Sequence, residues 1–263
     1  MIVFAAVVPH SPLLVPAIGK EHQAQLAKTV AAYQELEQAL YLAKPETLCI
    51  IAPHGPRYPD SFSANMAGSY NGTLKSFGDF STTVTAKSDF MLIDRTHRKM
   101  RDEGVPFTLT SSEELDYGYS IPIMLLTAHL QNWKLFPVSP SMMDGKAHFE
   151  FGRQLKRVIH AETRRVAVIA SADLSHKLTS ESPGGASQEG PKFDEAVQQA
   201  LSANDPNPLL SLPLETVENA GQCGYRPIAT LLGTLENMNV TPHMLSYEAP
   251  FGVGYVVAKF DIA

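Results

Sequence analysis

Three histidines stand just beyond runs of apolar and β-branched residues, and these are the side chains of the sequence best suited to chemistry. His10 follows IVFAAVVP, His54 follows LCIIAP, and VAVIASA leads into Asp173 and then His176. Imidazole is the commonest side-chain ligand for Zn, Fe and Cu, and it titrates near neutral pH, so such residues hold a metal or move a proton. Pro9 and Pro53 restrict the backbone just before His10 and His54, which makes these two the best metal ligands; ending a strand is the equally natural structural use of both prolines. In SADLSH, Asp173 precedes His176 by three residues, so one turn of backbone brings a carboxylate toward an imidazole. The histidine of such a pair serves as general acid and base or as a further ligand, while capping the following turn is the structural alternative for Asp173. A third ligand is expected from ENAGQCGYRPIATLLG, where Cys223 lies just before an apolar helix that begins near Tyr225. The positive end of that helix and a nearby metal would favour the thiolate; a buried, inert thiol is the alternative. Glu218 and Gln222 are oxygen-donor alternatives in the same loop, and Glu248 is a weaker one.

These groups meet only if the strands before them share a direction, because loops at the carboxyl ends of parallel strands gather side chains at one edge of the sheet. The alternation of short β-rich runs with longer helical patterns predicts that arrangement: an α/β fold, a single domain over residues 1–263 with a central mostly parallel or mixed sheet flanked by helices. Core strands are expected over Ile2–Val8, Thr47–Ala52, Leu135–Val138, Val166–Ser171 and Val253–Phe260, and helices over Glu21–Leu42, Ser88–Arg101, Ile121–Leu130, Ala147–Ala161, Pro191–Ala203 and Tyr225–Glu236. Ser61–Val84, with its Asn-Gly punctuation, reads as antiparallel strands and a turn, and the Ser-, Pro- and Gly-rich stretch Thr179–Gly190 as a mobile loop near His176.

Composition narrows the partners. A net charge of -6 and a pI near 5.8 give no electrostatic reason to bind nucleic acid or an anionic membrane, and neither is expected. The apolar opening MIVFAAVV lacks the flanks of a leader and is far shorter than a membrane span, so a cytoplasmic location is expected. Two cysteines are too few for a disulfide framework, and Cys49 sits within a strand-like run where a thiol packs as a small apolar group.

Taken together, PHSPLL, IAPHGP, LDYGYSIPI, SADLSH and AGQCGYRPI resemble the class III extradiol ring-cleavage dioxygenase superfamily, whose catalytic chain is LigB and whose relatives include Memo-type proteins. The resemblance runs over nearly the whole chain. It implies a LigB-like fold, metal binding by His10 and His54, and an acid and base role for His176 with Asp173 orienting it. It also implies Fe(II) as cofactor, with Zn or Cu as alternatives, and a catechol-like aromatic substrate opened by O2. Ring-cleaving members complete their ligand set with a glutamate, whereas the matching loop here carries Cys223, as in Memo-type relatives. Tyr117 stands where many ring-cleaving relatives have a histidine; it can donate a hydrogen bond but cannot take up a proton near neutral pH. The alternatives are a Memo-like Zn or Cu protein with a Cys/His site and a non-catalytic partner-binding module. A homodimer or a partner subunit is compatible with either.

Overall fold

The strands that lead into the three histidines lie side by side in a computed structural model of the chain, which describes residues 1–263. The strands are β1 (Ile2–Val8), β2 (Thr47–Ile51), β3 (Phe62–Asn65), β4 (Ser69–Leu74), β5 (Asp79–Lys87), β6 (Phe107–Thr110), β7 (Glu114–Leu115), β8 (Lys134–Ser139), β9 (Val166–Ser171), β10 (Val240–Glu248) and β11 (Tyr255–Ile262). Eight of them form one sheet in the order β10-β11-β1-β9-β2-β8-β3-β6, and β5-β4-β7 form a small second sheet. The central four, β1, β9, β2 and β8, are parallel; β10, β11 and the β8–β3 pairing add antiparallel edges, so the sheet is mixed.

Period-two alternation sends successive side chains to opposite faces, and both faces are apolar because both are covered by helices. On one face, Val7, Cys49, Ile51, Val168 and Ala170 belong to a core of 38 buried residues that takes in the helices Gly145–His160, Glu189–Ala203 and Tyr225–Leu235. On the other, Ala6, Val8, Ile50 and Ile169 pack with the helices Ala27–Ala43 and Tyr117–Leu126 in a core of 25. The helices Gly145–His160 and Tyr225–Leu235 touch backbone to backbone: a Cβ on Gly152 would sit 2.1 Å from the Thr230 carbonyl oxygen, and one on Gly233 would sit 2.0 Å from that of Phe149. Only glycine permits that approach, which sets the height of the helix that follows Cys223.

Several boundaries differ from expectation for local reasons. The helix expected over Ile121–Leu130 spans Tyr117–Leu126, because Asp116 caps it through the Gly118 amide and Pro122 is accommodated inside it. Tyr117 is therefore the first residue of a helix. The long helix expected from Glu21 begins as 3-10 turns over Lys20–Leu26 and becomes α-helical at Ala27. β10 was not expected, and neither were the short helices Asn207–Leu210 and Leu214–Asn219. The stretch Thr179–Gly190 folds back on the site loop: Gly184 donates its amide to the His176 carbonyl and Ser187 donates to that of Lys177.

Candidate metal centre

The order β1-β9-β2 places the ends of the strands before His10 and His54 on either side of the end of β9. Nε2 of His10 lies 3.0 Å from Nε2 of His54 and 3.5 Å from Sγ of Cys223, and the three ligand atoms all fall within 4.8 Å of one another. His10 is 1% exposed, Cys223 half-buried and His54 exposed, so the cluster is rooted in the sheet and open on one side.

The proton positions on His10 follow from its neighbours. The Ser171 hydroxyl has one hydrogen and gives it to the Gly118 carbonyl at 2.5 Å, so toward Nδ1 of His10, 2.8 Å away, it can only accept. Nδ1 therefore carries the proton, and Nε2 turns a lone pair toward His54 and Cys223. Two imidazole nitrogens at 3.0 Å, one of them bare, share either a proton donated by the other ring or a cation. Nitrogens bound to one ion at about 2.0–2.1 Å each lie at such a separation, so the donor set fits a transition metal. Burial lowers the basicity of His10, and burial and then His10 bring His54 down to about 4, which keeps both imidazoles neutral and able to ligate.

Cys223 departs from the sequence expectation in one respect. Burial, and then the Asp173 carboxylate, push its thiol well above the ordinary range, outweighing its backbone hydrogen bonds and the charge of Arg57. A bound cation is the group that would offset both effects.

Asp173 also has a different partner from the one its spacing suggested. Its Oδ1 accepts the His10 backbone amide at 2.8 Å, its Oδ2 is 3.8 Å from His10 Nε2, and its carbonyl accepts the Cys223 amide at 3.4 Å. It thus ties the β9 end to two members of the cluster, and His176 is oriented elsewhere. Nδ1 and the backbone amide of His176 both donate to the Gly221 carbonyl, at 2.6 and 3.1 Å, which leaves Nε2 as the free nitrogen of the ring. Gly221 has φ +60°, a conformation that favours glycine. Asp194 fixes the same loop from behind, its Oδ1 accepting the Ser175 amide at 2.9 Å and its Oδ2 accepting from Tyr247 at 2.7 Å. His176 follows the end of β9, which lies between the strands that lead to His10 and His54, so it stands at the same edge.

Tyr117 stacks on His54 with ring centroids 4.6 Å apart, and its hydroxyl is 2.9 Å from His54 Nε2. Burial raises it to about 12, so it stays protonated. Phe77, at the tip of the β4–β5 hairpin, meets Tyr117 edge-on at 5.1 Å and extends the aromatic wall outward. The oxygen-donor alternatives are engaged elsewhere or point away: Gln222 accepts the Tyr225 amide, Glu248 accepts from Thr29 twice, and Glu218 is exposed on the rim. Sequence reasoning missed Ser171, Gly221, Asp194 and Phe77. Of these only Ser171, a polar residue closing an apolar strand, carried a signal.

A mixed α/β sheet that gathers two histidines and a cysteine at the carboxyl edge of its parallel centre defines a class of protein with a candidate metal site in the loops. The sequence model of the catalytic LigB subunit of aromatic ring-opening dioxygenase matches residues 4–258, and the chain belongs to that family. Protein CA_C1420 of Clostridium acetobutylicum is 27% identical over 262 residues, which cover 96% of this chain and 56% of that protein. MEMO1 family protein MMP1387 of Methanococcus maripaludis is 23% identical over 124 residues, covering 47% of this chain and 40% of its own length. The chain spans about half the length, or less, of these curated relatives. Among solved structures, uncharacterized protein JW3007 from Escherichia coli K12 superimposes with a TM-score of 0.68 at 15% identity, over 98% of this chain and 99% of that one, a likeness of fold.

Proposed function

We propose that the chain is an extradiol-type ring-opening dioxygenase: it holds one metal ion, Fe(II) by expectation, with His10, His54 and Cys223 and opens a small catechol-like aromatic with O2. The observation that supports this reading is the convergence of two imidazole nitrogens and a thiol within 4.8 Å at the open edge of a LigB-family sheet. The ion, when bound, would supply a meeting point for substrate and O2 and a route for electrons between them. The chain supplies the rest. Ser171 fixes the His10 tautomer, Tyr117 and Phe77 offer aromatic surface beside His54, and His176 carries protons at the Nε2 left free by Gly221. Anaerobic loading with Fe(II), then air and a panel of catechols, is expected to give a yellow ring-opened product; absence of turnover with every member overturns the proposal. His176→Gln is expected to lower kcat by about 10²–10⁴-fold at unchanged iron content.

A second reading rests on Cys223. A thiolate is a softer ligand than a carboxylate and favours Cu(I) or Zn over Fe(II), which would make the chain a Memo-like metal-handling protein. Elemental analysis of the purified chain and of Cys223→Ser distinguishes the two. Copper or zinc that disappears with the thiol supports the second reading, and iron that is retained without it supports the first.

A further inference from the structure

The small sheet runs β5-β4-β7, so β5 has β4 on one side and no strand on the other. Its pairing with β4 decides which backbone groups look outward. Just past the strand, Ser88 donates its amide to the Gly68 carbonyl at 3.3 Å, and the same antiparallel register sets Tyr70 against Ala86, Asn71 against Thr85, Gly72 against Val84 and Thr73 against Thr83. Hydrogen-bonded and non-hydrogen-bonded pairs alternate in such a ladder, so Ala86 and Val84 bond to β4 while Thr85 and Thr83 turn N–H and C=O away from it. Asn71 agrees: opposite Thr85, it sends its amide the other way, to the Glu113 carbonyl at 2.6 Å. No turn, loop or cap bonds to the backbone of Thr83 or Thr85. The free stretch ends at Ser88, which bridges to Leu135 of β8.

Exposed edges are ordinarily blunted by proline, charge or a bulge. From Phe80 to Ala86, FSTTVTA, this one carries neither proline nor charge, and its register shift lies at the hairpin end, between Thr73 and Leu74. Large apolar side chains stand at both ends: Phe80 is 75% exposed, and Phe90 and Met91, just past the other end, are 50% and 47% exposed. A second copy of β5, laid antiparallel, brings Phe80 of each chain toward Phe90 and Met91 of the other. It also sets Asp79 toward Lys87, the only charges of the strand, so acid and base face each other at both ends. A parallel copy would align like charges instead.

We propose that β5 is a dimerisation edge: two copies of the chain pair antiparallel about a two-fold axis at Val84. Thr83 of each copy then exchanges both backbone hydrogen bonds with Thr85 of the other, and the two small sheets become one. Val84 meets its own counterpart, and such cross-strand pairs of β-branched residues stabilise a ladder. One patch serves both copies, as a closed two-fold interface requires. The pairing also braces the hairpin whose tip holds Phe77 against Tyr117.

Sedimentation equilibrium of the purified chain, from about 1 to 100 µM, is expected to approach twice its 28.7 kDa. Thr83→Pro removes an outward amide and spares the bonds to β4, and Phe80→Ser removes an apolar end. Each is expected to weaken the dimer at least about tenfold, with the circular dichroism spectrum unchanged. Phe80 is exposed, so Phe80→Ser keeps the test if Thr83→Pro disturbs the hairpin. Facing residues of a non-hydrogen-bonded pair lie about 4.5 Å apart at Cα, within the range of about 4.4–6.8 Å that a disulfide spans. Val84→Cys is therefore expected to give a covalent dimer on mild oxidation, whereas Thr82→Cys, whose two copies lie well apart along the ladder, and the wild type with its own Cys49 and Cys223 are not. A wild type that stays monomeric throughout overturns the proposal and leaves the edge to an extended segment of another protein. A dimer undiminished in both Thr83→Pro and Phe80→Ser, or one that Thr82→Cys locks as readily as Val84→Cys, overturns this interface.

Discussion

Ser171 decides which nitrogen of His10 faces the cluster, although it touches neither His54 nor Cys223 in the hydrogen bonds it makes. Ser171→Ala would leave the buried Nδ1–H without an acceptor and free the other tautomer, whose bare nitrogen points away from the site. Partners of this kind are worth about 10–100-fold in metal affinity, and a loss of that size is expected in competition with a chelating indicator, with the circular dichroism spectrum unchanged. His10, His54 and Cys223 were legible as candidates because each stands where an apolar run stops. The partner of Asp173 was not: three residues of spacing suggested His176, but the amide that reaches its carboxylate belongs to His10, 163 residues away in sequence. Local spacing limits what a backbone can do and carries no information about which distant segment passes beside it.

At the level of elements, the strands that build the site announced themselves by composition. Ile2–Val8 and Val166–Ser171 have the bounds their apolar runs predict, because strands covered on both faces read as continuous hydrophobic stretches. β10 escaped for the opposite reason: VTPHMLSYE is an outer strand, mostly half-buried or exposed, with a proline and a histidine in its first half. Between elements, Arg164 pairs with Asp89, a fully buried carboxylate that also accepts from the Thr47 hydroxyl at 2.5 Å. Burial alone would raise that carboxyl; the hydrogen bond and charge of Arg164, with Thr47, outweigh it and hold it below the ordinary range. Arg164→Met would strand the charge between the start of β2 and the helix Phe90–Asp102. The expected cost is about 3–5 kcal/mol, read as a lower urea midpoint at pH 7.

For the molecule as a whole, the buried carboxyls that lie above their ordinary range shape stability against pH. Burial, against the hydrogen bonds from Ser175 and Tyr247, pushes Asp194 from 3.8 up to about 6, and burial does the same to Asp116. In the unfolded chain each releases its proton near 3.8, whereas the folded chain holds it to about 6, so each favours the fold most below pH 4. That contribution is lost as pH rises through 6, to an extent of up to about 3 kcal/mol per group at neutral pH. Asp194→Asn keeps an acceptor for the Ser175 amide and removes the titration. Relative to the variant, wild type is therefore expected to lose stability between pH 4 and 7, and parallel urea midpoints across that range would refute the assignment. The fold class was legible because it follows from the succession of elements; these titrations were not, since they depend on what covers each carboxyl.

The two ends of the large sheet bear on how copies of the chain can associate. At one end β6 is four residues long, and at the other β10 contains Pro242, which has no N–H, and a register shift between Met244 and Ser246. Neither edge is a good template for another strand, since short, bulged or proline-bearing edges discourage backbone pairing between molecules. No helix of the chain is long and apolar enough to cross a membrane, and the small sheet keeps β5, Asp79–Lys87, at one of its own edges. Self-association at the large sheet, where it occurs, is thus expected to proceed side chain against side chain, leaving the strand order that aligns His10, Asp173 and His54 undisturbed.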